Sequence, residues 1–535
     1  MSLISKGRLL FHTVKYLRLQ QLVYQIMIRI KPKESFLRYE TGDVKYTEYD
    51  LWIDHLDSTQ EYIDRFKPEG LIHNELTLLN ETRVFDRWHY DDALHLWNFN
   101  VHYLEYLIAL KAKYKATGVE DYKRKLDEIL EKWYENGTSD VDSNQAYTIS
   151  LRIVNMLLVA DIVTDRQRLY NSMYAQYKYL LKHQEKHLLG NHYLENLKAI
   201  VICSIVYNDD ITYGKYIERF FRELDEEITP DGLHFESSLM YHKIVLEDLI
   251  RVALILKQSY KKEFDTILKY IGKMNDALYS LENGIGRTLL FNDAGEGVSK
   301  STTSLLHTSR SLFGIEPASK NPVSGYYRID DGDISVLVDC GELSPRYMPG
   351  HAHCDCLSFE LFIKGDPVLV NSGTYQYQGK FRRYFRNTSA HNTVMINDHE
   401  QSELWGEHRA AGRISAVKAS MSKDGKAISG SYRNFHGESH HRKITYSNGV
   451  LEVQDMTDGR GKSYLHLDPG IKYNNMIISG RGIEARIVPI NARISVEESI
   501  CAPYFGVMEN NSTIVFEWEN DMKEHGYRIE IQNEV

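Results

Sequence analysis

The 535-residue chain is poor in cysteine and proline and lacks long apolar runs. Its five cysteines, Cys203, Cys340, Cys354, Cys356 and Cys501, are odd in number, and their spacing suggests no disulfide framework. That fits a reducing compartment. No stretch of 18 or more apolar residues occurs, so no transmembrane helix is expected. Acidic residues are missing before Glu34, while Lys6, Arg8, Lys15, Arg18, Arg29, Lys31 and Lys33 are present. These charges interrupt the apolar stretch, which argues against a cleaved secretory signal with its unbroken apolar region. Two readings of residues 1–33 stay open: a basic amphipathic helix in peripheral contact with a membrane, or a helix docked on the protein's own body. The expected location is cytoplasmic, and membrane-peripheral on the first reading.

Proline is also absent between Pro68 and Pro230, and again between Pro230 and Pro317, which permits long helices there. Helical periodicity fills those gaps. Tyr103, Leu104, Leu107, Ile108 and Leu110 form one stripe, and Ile149, Leu151, Ile153, Val154, Leu157 and Leu158 another. Further helices are predicted near 168–187, 193–208, 211–228, 238–259 and 262–282, as in a helical bundle or α/α toroid. After about residue 320 the pattern becomes short β-branched or aromatic runs between turn signals, from Ile334–Val338 to Tyr527–Ile531. This reads as an antiparallel sandwich, with the boundary near 300–325. The net charge of −10 excludes a generic nucleic-acid binder, so no nucleic-acid partner is expected. A polyanion would need a locally basic cleft.

Four clusters carry residues suited to chemistry. Gly190-Asn191-His192-Tyr193-Leu194-Glu195 opens a helix, with Asn191 placed as an N-cap and His192 and Glu195 spaced three apart to pair. Asp231-Gly232 marks a turn leading to a helix with Glu236, Tyr241 and His242. His351-Ala352-His353, read as a strand, would point both imidazoles to one side. Asn371 to Tyr377 runs into Arg382, Arg383 and Arg386, then Ala390-His391-Asn392-Thr393. The arginines read as a basic patch able to grip carboxylates or sulfates. Each cluster also has an ordinary structural reading: a cap, a packed tyrosine, a surface His-X-His, a solvated charged hairpin.

In order and spacing the clusters together resemble the heparinase II/III-like polysaccharide lyases, most sharply at Asn191-His192, Tyr241, His351-Ala352-His353 and Ala390-His391-Asn392-Thr393. The resemblance covers the chain from about Trp97 to its end and leaves out the first 40 or so residues. It implies an α+β multidomain fold: an incomplete (α/α) toroid over 41–315 and an antiparallel β-sandwich over 316–535, following the basic amphipathic segment over 1–40 that lies outside the resemblance. It implies β-elimination at a uronic acid of an acidic polysaccharide or oligosaccharide. Asn191 and His192 would sit on the carboxylate, Tyr241 would serve as base, acid or both, and His351 as partner base. Tyr377 is a further candidate acid. Arg152, Glu195, Glu236, Arg383 and Arg386 are candidate substrate-binding or supporting residues.

The resemblance also implies a structural zinc on His353, His391 and residue 371, where this chain has Asn371 instead of the family's usual aspartate. The amide is a poorer ligand, and Asp355 or Cys354 could substitute only if the geometry allows. No organic cofactor is implied. Two rivals remain: a polysaccharide-binding protein of capsule or exopolysaccharide assembly without catalysis, and a glycoside hydrolase using Glu195 and Glu236. The polymer, endo or exo attack and the oligomeric state are left open by the sequence.

Overall fold

The structure is a computed structural model that describes residues 3–30, 34–519 and 523–532. Lys31 and Lys33 of the basic segment lie outside these residues.

An incomplete helical toroid precedes a sheet-rich body. The toroid's main helices are His95–Tyr103, Tyr106–Thr117, Glu120–Asn136, Ala146–Val159, Arg166–Leu180, Gly190–Val206, Asp210–Glu227, Leu239–Leu256 and Lys261–Glu282, with Thr302–Phe313 closing the series. Outer helices are one-sided. Asp210–Glu227 starts where Asp209 accepts the Thr212 N–H, and it buries Tyr213, Tyr216, Ile217, Phe220 and Leu224, the spacing of a single apolar face. The inner helix Gly190–Val206 buries every residue except His192. That exception faces the cleft.

Two predicted helices end differently. The stripe around Tyr103 is cut at Leu104, which adopts a left-handed backbone (φ 56°). The freed carbonyls are satisfied from a neighbouring helix: Arg152 donates to the His102 carbonyl and Asn155 to that of Tyr103. The helix expected over 168–187 stops at Leu180. Asn196 then takes the Glu185 N–H at 2.7 Å and holds 181–189 as a loop along the cleft.

The second body consists of antiparallel sheets. One has eight strands, in the order Ser415–Met421, Ala427–Arg433, Ser439–Ser447, Val450–Thr457, His525–Gln532, Ile483–Ile490, Ile477–Gly480 and Lys472–Asn474. A four-stranded sheet runs Arg493–Cys501, Glu509–Trp518, Gly461–His466 and Val394–Ile396. Another joins Tyr326–Asp331, Ile334–Asp339, Phe359–Ile363 and Asp366–Leu369. Strand Ser439–Ser447 alternates inward and outward, yet two of its inward residues are His440 and Arg442. Both bind Asp455, at 2.8 and 2.7 Å, and Arg442 also donates to the carbonyls of Leu357 and Asn392. This buried group ties the sheet to the loops that carry the candidate site.

The N-terminal helices Leu3–Val14 and Leu19–Ile30 dock on the body by one face. Thr13 accepts from the Trp405 indole at 2.9 Å, Arg8 pairs with Glu403, and Arg18 pairs with Glu226 while stacking on Tyr347. The other face leaves Leu10, Phe11, Leu19, Val23, Ile26 and Ile30 exposed. Among the described residues no helix is long and apolar enough to cross a membrane. All five cysteines are buried and free.

Candidate active site

A cleft of about 1070 Å³ opens between toroid and sheets. Its walls include Asn191, His192, Tyr147, Tyr241, His351, Tyr377 and His408. Residues from all four sequence clusters line it directly, and Glu236 of the second lies close behind.

Asn191 and His192 stand in the first turn of helix Gly190–Val206. Asn191 is not the N-cap expected from the sequence; Leu189 holds that position without a side-chain bond. Position 190 favours glycine. Its φ is +57°, and a Cβ would lie 2.2 Å from Met348 Cε. The first-turn N–H groups and the helix dipole favour an anion here. His192 pairs with Glu185 at 3.4 Å, not with Glu195 as the spacing suggested. Burial opposes charge on this imidazole, but the Glu185 carboxylate outweighs it and raises its pKa. Its ring lies against Tyr147, with centroids 4.4 Å apart.

Tyr241 lies in the first turn of helix Leu239–Leu256, which begins where Ser238 caps the Tyr241 N–H. Glu236 precedes that helix rather than lying on it. The Tyr241 hydroxyl is 2.7 Å from that of Tyr377, and its ring centroid is 4.2 Å from that of His351. Burial drives the Tyr241 pKa well above its ordinary value, and Tyr377 adds to the rise. Tyr241 therefore keeps its proton near neutrality.

His351 and His353 lie in a loop, not a strand. Their convergence comes from Asp293, a residue the motifs did not reveal. Asp293 Oδ2 is 2.8 Å from His351 Nδ1, and Oδ1 is 2.8 Å from His353 Nε2. Arg382 grips both Asp293 oxygens. Burial alone would raise the Asp293 pKa, but Arg382 and the two histidines hold it well below the usual carboxylate range. Asp293 lies in Asn292-Asp293-Ala294-Gly295, a short polar turn whose only sequence signal is an acid among small residues.

Several sequence expectations are corrected here. Arg152 does not face the cleft; it is fully buried, donating to Gln176, His102 and Ser143 near the rings of Trp133 and Phe36. Glu195 is also buried and pairs with Lys198 at 2.5 Å. Glu236 sits behind the wall: its Oε1 accepts the Asn191 N–H at 3.4 Å, and Oε2 lies 3.8 Å from His351 Nε2. Arg386 is spent on the carbonyls of Ala352 and Glu407. Arg383 is exposed and does not line the cleft. The arginine cluster is thus mostly an internal brace, not a basic patch. His408, another wall residue, was missed because Gly406-Glu407-His408 carries no motif; burial pushes it down to about 4, with Arg382 adding to the effect.

Behind this wall His353, Asp355 and His391 bring ligand atoms within 4.8 Å of one another. His353 Nδ1 and His391 Nε2 are buried without a hydrogen-bond partner, and burial keeps both rings neutral, the state that binds metal. The donor set fits a metal ion. Asn371 is not in this triad. Its Oδ1 accepts from Ser358 at 2.6 Å and lies 3.0 Å from His391 Nδ1, so it orients that ring from behind.

Comparison with known proteins agrees with this architecture. The model of the heparinase II/III N-terminus matches residues 31–318, and that of the heparinase II/III-like C-terminal region matches 316–530. The likeness therefore begins well before Trp97. A curated heparin-sulfate lyase of Pedobacter heparinus is 24% identical over 260 residues, which are 43% of this chain and 39% of that protein. The matched stretch spans well under half of that relative's length. Among solved structures, heparinase III gives a TM-score of 0.67 at 15% identity, covering 93% of this chain and 88% of that one. A mutant of the heparan sulfate lyase HepC from Pedobacter heparinus gives 0.59 at 16% identity, covering 96% and 88%.

Proposed function

The chain belongs to the heparinase II/III family, and from that premise we propose that it is a polysaccharide lyase that cleaves a uronic-acid polymer, of the glycosaminoglycan class, by β-elimination. The observation that carries this reading is the pairing of a protonated tyrosine with a carboxylate-backed histidine, Tyr241 and His351, in one cleft.

The uronate carboxylate would lie at the first turn of Gly190–Val206, met by Asn191 and by His192, whose protonated form the Glu185 carboxylate favours, so that charge built up as the C5 proton leaves is stabilised. Asp293 fixes the His351 ring through Nδ1 and leaves Nε2 to accept the C5 proton. The C5–H electrons become the C4–C5 double bond and the C4–O4 bond breaks. The departing O4 takes the Tyr241 proton. Tyr377, bonded to the Tyr241 hydroxyl, would steady that phenol as it loses the proton. Zinc would be held by His353, Asp355 and His391, where it would supply a rigid cross-link beneath the His351 loop. A hydrolase would need two opposed carboxyl groups on the cleft, whereas Glu195 and Glu236 are buried and engaged. The exposed apolar face of the N-terminal helices supports the reading of peripheral membrane contact.

The test is ultraviolet absorbance of the new double bond on heparan sulfate, chondroitin, alginate and other uronans. Absorbance should rise on one polymer and fall by about 10²–10⁴-fold in Tyr241→Phe, the span of lost general acid catalysis. New reducing ends without absorbance would mean hydrolysis. Silence in both assays would favour polysaccharide binding without catalysis.

A further inference from the structure

A second group of histidines and aspartates lies on the toroid, apart from the zinc candidate beneath His351. It joins the segment before helix His95–Tyr103 to the loop before helix Ala146–Val159. His89 Nδ1 lies 3.4 Å from Asp140 Oδ2 and 3.9 Å from Asp142 Oδ2. Ligand atoms of these three residues all fall within 4.8 Å of one another. His95 Nε2 holds the other Asp142 oxygen at 3.0 Å, and His102 Nε2 stands 3.3 Å from Asp140 Oδ1.

Two observations point to a missing cation. Asp142 is only 2% exposed, and its Oδ2 has no hydrogen-bond partner. Among the described residues neither carboxylate has an ion pair to lysine or arginine; the charged or titratable partners of both are imidazoles, and Asp140 Oδ1 also accepts the Asp142 N–H at 2.7 Å. Two carboxylates this close, one of them buried, repel unless a positive charge lies between them.

We propose that His89, Asp140 and Asp142 bind a divalent transition-metal cation of the zinc type. One imidazole nitrogen and two carboxylate oxygens form a mixed donor set that suits zinc, with the fourth position left to water. Calcium wants six to eight oxygens, which this site does not offer. His95 orients Asp142 from behind, as outer partners do in metal sites. The cation would pin the 137–145 loop, whose Asn144 and Gln145 line the cleft just before Tyr147, the residue whose ring lies against His192.

The experiment is a calorimetric zinc titration of the metal-stripped full-length protein. Wild type should bind one equivalent more than His89→Ala and than Asp142→Asn. His89 is 41% exposed at its side chain, so its variant should fold even if the buried Asp142 variant does not. Asp355→Asn, which alters only the other site, should keep this equivalent. Zinc should also raise the melting temperature less in His89→Ala than in wild type. Equal stoichiometry in wild type and folded His89→Ala overturns the proposal, as does an equivalent filled by calcium but not by zinc.

Discussion

On the helical wall of the cleft, Asn191 and His192 ride in the first turn of a helix that is buried along nearly its whole length. On the sheet wall, His351 and Tyr377 ride in loops with no regular backbone. The helix positions its residues through its own hydrogen bonds and packing, so few side chains are spent on holding them. The loops need a brace. Asp293 takes Arg382, His351 and His353 at once, Arg386 takes the carbonyls of Ala352 and Glu407, and Arg442 with Asp455 anchors the sheet below. The same cleft is therefore built by packing on one side and by buried charge on the other. Stability and chemistry should separate on the first side and stay joined on the second.

The sharpest break should come from Asp293→Ala. It strands the buried Arg382 and removes the acceptor of two histidines, so denaturant unfolding should register a loss of about 3–5 kcal/mol, with elimination lost as well. A fully stable variant would mean that the loops hold themselves. Asn191→Ala, on the helical wall, should lower turnover by about 10²-fold, the cost of one transition-state donor, while stability stays within about 1 kcal/mol. Equal losses in both quantities would erase the contrast. The gentlest probe is acid. Burial would raise the Asp455 pKa, but Arg442 and His440 lower it to about 2. A carboxyl with a depressed folded pKa contributes its full stability above its ordinary value near 4, and loses it as pH falls toward the folded value. About 2 kcal/mol should therefore drain away between pH 4 and 2. In Asp455→Asn that portion of the acid sensitivity should be missing, as followed by circular dichroism.

The periodic signals were legible because they are local. Proline-free helical stripes and alternating β-branched runs fall where the helices and strands lie, since each element's own burial pattern writes them. The candidate site was legible where motifs are dense: Asn191, His192, Tyr241, His351 and Tyr377 all line the cleft. Arg152 and Arg386 misled because an arginine near a motif looks the same whether it meets solvent or a row of buried carbonyls. Asp293 was silent because its three partners lie 58 to 89 positions away in the chain.

The sequence by itself determined the two-part architecture, the family and that Tyr241 and His351 belong to the candidate site, because hydrophobic period and clustered motifs depend on neighbours along the chain. Only the tertiary structure decided which charges face the cleft and which hold it up. It brought Asp355 together with His353 and His391, a donor set that could hold a metal ion, with Asn371 behind it, and it gathered His89, Asp140 and Asp142. The physical reason is that a side chain's role follows from what surrounds it in space. Burial, partner and field are set by segments that meet only when the toroid closes against the sheets.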